Sequence, residues 1–164
     1  MNKKHGLFFT TLLLVVGLDQ ISKMYVSSVM SLHASHPVID GFFNITYVRN
    51  PGAAFGFLSN AAPMFRSLFL IVVSAAAIVM ILYFLAKNKS AAMLLTFALS
   101  LILGGAVGNL LDRIRFGNVV DFLDFYIASW HWPAFNVADS AISVGAVLLI
   151  VEMFVRRKSG SLRQ

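Results

Sequence analysis

The chain has 164 residues, 59% hydrophobic and 12% charged, with a formal net charge of +6. A soluble domain is roughly 45–50% apolar, so this composition excludes an ordinary soluble globule and points to an integral membrane protein. The positive charge does not indicate nucleic acid, because the Lys and Arg residues punctuate apolar runs instead of clustering on one soluble face. The absence of cysteine removes thiol nucleophiles, disulfides and thiolate-bound metal.

The first apolar stretch, residues 7–29, is long enough for the ~20 residues that a bilayer crossing needs. Lys3 and Lys4 before it resemble the start of a secretory signal peptide, but no Ala-x-Ala-like cleavage site follows, so the span is read as retained. At ~1.5 Å of rise per residue, Asp19 lies roughly 18 Å into it. Lys23 is one turn further on; at i, i+4 the two share a helix face, serving either to hold helix register or to support a site.

The loop 30–64 contains FFNITYVRN, whose alternation of apolar and polar residues reads as a half-buried strand, followed by the glycine-bearing turn NPGAAFG. A small sheet is expected here. Asp40 before Gly41 is a turn residue. His33 and His36 have the spacing of a metal half-site, but a solvated loop explains them as well, and no third ligand is nearby in sequence.

Three further spans follow at 65–86, 91–111 and 137–155. All four are expected as helices, because backbone facing lipid must satisfy its own hydrogen bonds. The third carries Gly104 and Gly108 in a GxxxG spacing that lets helix backbones approach closely, then Asn109, Asp112 and Arg113 at its end. Asp112 and Arg113 alone would read as an ion pair at the membrane boundary.

The loop 112–136 is rich in aromatics and is expected to lie on the membrane surface as a loop or helix, like an aromatic belt. It contains Asp121 and, three residues on, Asp124. Asn136 stands at a helix start, where an asparagine side chain caps free N–H groups, and Asp139 opens the fourth span. Glu152, four residues before Arg156, reads as a structural i, i+4 pair, and the tail 158–164 is expected to be disordered.

Eight of the thirteen basic residues, Lys3, Lys4, Lys87, Lys89, Arg156, Arg157, Lys158 and Arg163, fall on one side of this topology. The positive-inside rule makes that side cytoplasmic, with both termini inside and both large loops outside. The expected fold is therefore a single all-α integral membrane domain, residues 1–164, with four transmembrane helices and a small periplasmic sheet.

Only seven acidic residues occur in the chain, and a carboxylate beside lipid is expensive enough to signal function. If the loop before the fourth span folds back, Asp121 and Asp139 meet at one membrane face. Two adjacent carboxylates cannot both ionise easily, so such a pair holds one proton near neutral pH. The ionised member can take a proton from attacking water while the protonated one hydrogen-bonds to a carbonyl. Asp124 is the rival for the first position. A Ser22 nucleophile with a Lys23 base is disfavoured, because adjacent helical residues point about 100° apart.

Five blocks in order, DQISK (19–23), NPGAAFGFL (50–58), GNLLDR (108–113), VVDF (119–122) and FNVAD (135–139), resemble the lipoprotein (type II) signal peptidases of bacteria. Pro51 departs from the family pattern, where a small polar residue is common. The resemblance implies an intramembrane aspartic endopeptidase of the inner membrane that cuts a prolipoprotein before its diacylglyceryl-modified cysteine, with Asp121 and Asp139 as the catalytic dyad. It implies binding or supporting roles for Asp19, Lys23, Asn50, Gly52, Asn109, Asp112, Arg113, Asn136 and Ala138. No cofactor, metal or nucleic acid is expected, and a monomer among membrane lipid is. The alternatives are a small proton- or ion-coupled carrier, which would place its groups near midplane on broken helices, and a structural subunit of a larger complex.

Overall fold

A computed structural model describes residues 3–52, 58, 61–88 and 92–161, the last six of these as backbone alone. Four helices form: α1 (Lys3–Val29), α2 (Pro63–Lys87), α3 (Met93–Phe116) and α4 (Val137–Ser161). Each is long and apolar enough to cross a membrane, and the chain is a multi-pass membrane protein. Lys89, the side chains of Arg156, Arg157 and Lys158, and residues 162–164, including Arg163, lie outside the described residues, as do residues 53–57 of the NPGAAFGFL block, while 158–161 of the tail expected to be disordered continue α4.

Local chemistry accounts for the helix ends. Proline occupies the first turn of α2, where its missing N–H costs nothing, and Asn88 closes that helix by donating both backbone N–H and Nδ2 to the Phe84 carbonyl. α3 runs five residues past the expected end at 111 and carries Asp112 and Arg113 within it. Gly117 ends it in the left-handed region (φ 71°), with its N–H bonded to the Arg113 carbonyl. A glycine takes that conformation without strain.

α3 is the central helix, packed against α1, α2 and α4. Its glycines make this possible. A Cβ at Gly108 would stand 2.5 Å from Asp19 Oδ2 on α1, and one at Gly105 would collide with the Ala138 carbonyl on α4. The expected GxxxG stripe thus faces α1, and the neighbouring Gly105 admits the start of α4, where Ala138 is fully buried. α2, by contrast, buries only Leu70 and presents its apolar surface outward, as a helix facing lipid should.

Between the helices lies one antiparallel sheet in the order β1 (Ser35–Ile39), β2 (Phe43–Asn50), β3 (Val119–Ile127), β4 (Trp130–His131). The stretch 112–136, expected as a loop or helix on the membrane surface, is more regular than that: after the end of α3 its residues 119–125 pair with β2. Its first apolar residues form a buried strand, where Val120 and Phe122 pack with Tyr47 of β2 and Val26 of α1, while Ile127, Trp130 and Trp132 stay exposed. The register sets Asn50 opposite Val119 and Val48 opposite Asp121. Phe135 bridges back to Leu123. That bridge returns the chain to the start of α4 beside β3.

Candidate active site

Asp121 projects from β3 and Asp139 from the first turn of α4, eighteen positions apart in sequence but joined by two asparagines. Asn136 Nδ2 donates to Asp121 Oδ1 at 2.6 Å, while its Oδ1 accepts the Asp139 backbone N–H at 2.9 Å. One amide therefore caps α4 and holds the other carboxylate. Asn109, from α3, donates Nδ2 to Asp139 Oδ1 at 2.8 Å, and its Oδ1 lies 3.3 Å from Asn136 Nδ2. On the far side, Asn50 at the end of β2 donates to Asp121 Oδ2 at 3.0 Å and accepts the Gly52 N–H at 2.9 Å. The Gly52 carbonyl in turn accepts from Arg113 Nη2 at 3.2 Å.

Asp121 is 2% exposed. Its carboxyl is pushed up from the ordinary value of 3.8 to about 7, first by burial and then by repulsion from Asp139; hydrogen bonds from Asn50 and Asn136 and the charge of Lys23 oppose the rise. A carboxyl in that range can hold or release a proton near neutral pH, as acid–base work requires.

Behind the asparagines lies a buried ionic cluster. The Lys23 ammonium contacts Asp19 Oδ2 at 2.8 Å, Asp112 Oδ2 at 3.1 Å and Asn109 Oδ1 at 2.9 Å. Asp19, Lys23 and Asp112 are 0%, 3% and 2% exposed. Burial on that scale is tolerable only because all three ammonium protons find oxygens. The boundary pair that Asp112 and Arg113 taken alone would suggest does not form; consecutive helical residues diverge, and Asp112 turns to Lys23.

Asp124 is held elsewhere, with His131 Nδ1 2.8 Å from one oxygen and Asn44 Nδ2 donating to the other at 3.0 Å. It lies three residues along β3 from Asp121, so the two point to opposite faces. A recess of about 320 Å³ walled by aromatics including Phe125, Trp130 and Trp132 contains neither Asp121 nor Asp139. Chemistry is better assigned by the carboxylates than by that apolar hollow.

Residues 11–155 match the family model described as Signal peptidase (SPase) II. The chain belongs to the signal peptidase II family. Among its relatives, the lipoprotein signal peptidase of Syntrophus aciditrophicus (strain SB) is 55% identical over 161 residues, covering 98% of this chain and all of that one. The lipoprotein signal peptidase of Geobacter sulfurreducens (strain ATCC 51573 / DSM 12127 / PCA) is 47% identical, covering 97% of this chain and 99% of its own. A bacterial membrane enzyme solved in meso at 2.3 Å superposes with a TM-score of 0.85 at 33% identity, covering 94% of this chain and 91% of the other.

Within this signal peptidase II fold, every residue given a catalytic, binding or supporting role from the sequence falls in one connected cluster, and Ala138 joins it through its backbone N–H as well as by its smallness. Sequence reasoning missed Gln20 and two backbone donors. Gln20 donates Nε2 to Asp112 Oδ1 at 3.0 Å and Asp19 Oδ2 at 3.2 Å; its place inside DQISK was the available signal. The backbone N–H groups of Val120 and Ala138 also join the cluster, and no side-chain pattern announces a backbone donor.

Proposed function

We propose that Asp121 and Asp139 are the catalytic dyad of an aspartic peptidase that removes signal peptides from prolipoproteins, cutting on the N-terminal side of the diacylglyceryl-modified cysteine. The observation that carries this reading is the Asn136 amide, which donates to the Asp121 carboxylate and accepts the backbone N–H of Asp139. The pair shares one proton. The ionised aspartate takes a proton from water as the oxygen adds to the scissile carbonyl, and the protonated one hydrogen-bonds to the developing oxyanion. Return of a proton to the departing nitrogen yields a carboxylate on the signal peptide and a free amine on the lipidated cysteine.

Asn50, Gly52 and Arg113 would border the substrate, with Asn109 and Asn136 orienting the dyad. The dyad sits at the sheet-bearing end of the bundle, while Lys3, Lys4 and Lys87 lie at the other. The positive-inside rule then sets the site on the periplasmic side of the inner membrane and both termini in the cytoplasm, for a single domain acting as a monomer without cofactor or nucleic acid. A substrate whose signal helix spans the bilayer and whose lipid occupies one leaflet must be cut near that leaflet's surface. The carrier alternative is unsupported, because the family is a peptidase family and the buried polar groups gather toward one end.

The test is incubation of the purified protein with a precursor lipoprotein, with and without its diacylglyceryl group. Only the lipidated precursor should be cut, and Asp121→Asn and Asp139→Asn should each lose about 10³-fold in rate. Turnover retained in either variant rejects the dyad.

A further inference from the structure

The buried Asp19–Lys23–Asp112 cluster touches neither dyad carboxylate directly, and a bundle that needed only packing would be better served there by apolar residues. Its free acceptors show what it does. Asp19 Oδ1 accepts the backbone N–H of Ala138 at 2.9 Å, and Asp112 Oδ2 accepts the backbone N–H of Val120 at 3.1 Å. Ala138 immediately precedes Asp139, and Val120 immediately precedes Asp121. Each acidic member thus grips the peptide just before one dyad aspartate, although the two peptides belong to different elements, a helix start and a strand.

Lys23 couples the two grips. Its three protons go to Asp19, to Asp112 and to Asn109 Oδ1. The last contact also decides how the Asn109 amide faces: with its oxygen on the ammonium, its Nδ2 must point at Asp139 Oδ1. We propose that Asp19, Lys23 and Asp112 are positioning residues forming a two-armed clamp, which sets the separation of the catalytic carboxylates by holding the backbone ahead of each. This rests on Asp121 and Asp139 being the catalytic pair.

The arms differ in a way that makes the clamp testable. Asp112 uses one oxygen, Oδ2, for both Lys23 and Val120, so an asparagine can keep both bonds with its single carbonyl while half-buried Gln20 turns away. Asp19 uses different oxygens, Oδ2 for Lys23 and Oδ1 for Ala138. An asparagine there must abandon one. A role through charge alone would make the two substitutions equivalent, since each removes one negative charge beside the same ammonium.

The experiment is cleavage of a diacylglyceryl precursor by purified Asp112→Asn, Asp112→Ala and Asp19→Asn proteins, with Asp121→Asn and Asp139→Asn in parallel and thermal unfolding measured for each. Asp112→Asn should keep kcat within about threefold of the parent. Asp112→Ala and Asp19→Asn should lose about 100-fold in kcat with KM nearly unchanged, the loss expected when reacting groups shift by about 1 Å. Equal kcat for Asp112→Asn and Asp112→Ala overturns the clamp, whether both are fast or both slow. Collapse of Asp112→Ala at the assay temperature also overturns it, by assigning the carboxylate to holding the bundle together. Active Asp121→Asn or Asp139→Asn proteins reject the dyad itself, whereas inactive dyad variants beside a fast Asp19→Asn protein reject only the clamp.

Discussion

Removing the Asp121 charge should make the protein more stable at alkaline pH while destroying its activity. The folded chain holds the Asp121 proton up to about pH 7 because burial and the neighbouring Asp139 disfavour the charge, whereas the ordinary value is 3.8. Between those two pH values the folded state binds more protons than the unfolded one, so stability falls as pH rises and levels off above pH 7. The gap between 3.8 and about 7, at about 1.4 kcal/mol per pH unit, comes to about 4 kcal/mol. Asp121→Asn abolishes that slope. It also leaves one of two donors without an acceptor, because Asn136 and Asn50 each feed a separate carboxylate oxygen, at about 1–3 kcal/mol. The net expectation is a variant about 2 kcal/mol less stable than the parent at pH 4 and about 2 kcal/mol more stable at pH 8. At roughly 2–4 °C per kcal/mol, Tm in detergent micelles, followed by tryptophan fluorescence, should rise by about 4–8 °C at pH 8. A Tm difference that stays the same from pH 4 to pH 8, or a variant less stable than the parent at pH 8, would refute the assignment of a strained carboxyl to this position.

Gly108→Ala places a methyl group 2.5 Å from Asp19 Oδ2, which should cost about 1–3 kcal/mol of stability and slow cleavage; unchanged Tm and rate would mean that α1 and α3 do not approach as closely as described. Asn136→Ala removes both the α4 cap and the short bond to Asp121, so Tm should fall by the equivalent of about 1–2 kcal/mol and kcat by about 100-fold, with an unaltered kcat arguing against the amide bridge. Asp124→Asn should cleave within about threefold of the parent, because that carboxylate is occupied by His131 and Asn44; a loss above 100-fold would transfer the catalytic role from Asp121 to Asp124.

Much of the site was legible because its chemistry is scarce. In a chain this apolar, each buried carboxylate or amide stands out against lipid-compatible residues, and Asp19 and Lys23 announced their pairing through the i, i+4 spacing that the helix realises at 2.8 Å. Asn136 shows the limit. Its position before an apolar span read correctly as a cap, and the carboxylate on its other side belongs to a strand whose course the local pattern did not reveal. The aromatic run around Trp130 stays exposed, as its interfacial composition suggested, but the strand before it was not legible, because its pairing with β2 is a long-range event.

Composition and apolar run length alone determined four membrane helices, because a bilayer admits few other ways to satisfy a backbone, and charge scarcity pointed to the two aspartates. Only the tertiary structure decided that Asp112 serves Lys23 instead of Arg113, that Asp124 is claimed by His131, and that two backbone N–H groups tie the ionic cluster to the dyad. Those outcomes depend on which groups converge when α1, α3, β3 and the start of α4 pack against the α3 glycines. Every residue but proline has the same backbone donor, and a carboxylate's partner is chosen by three-dimensional distance, which local sequence does not encode.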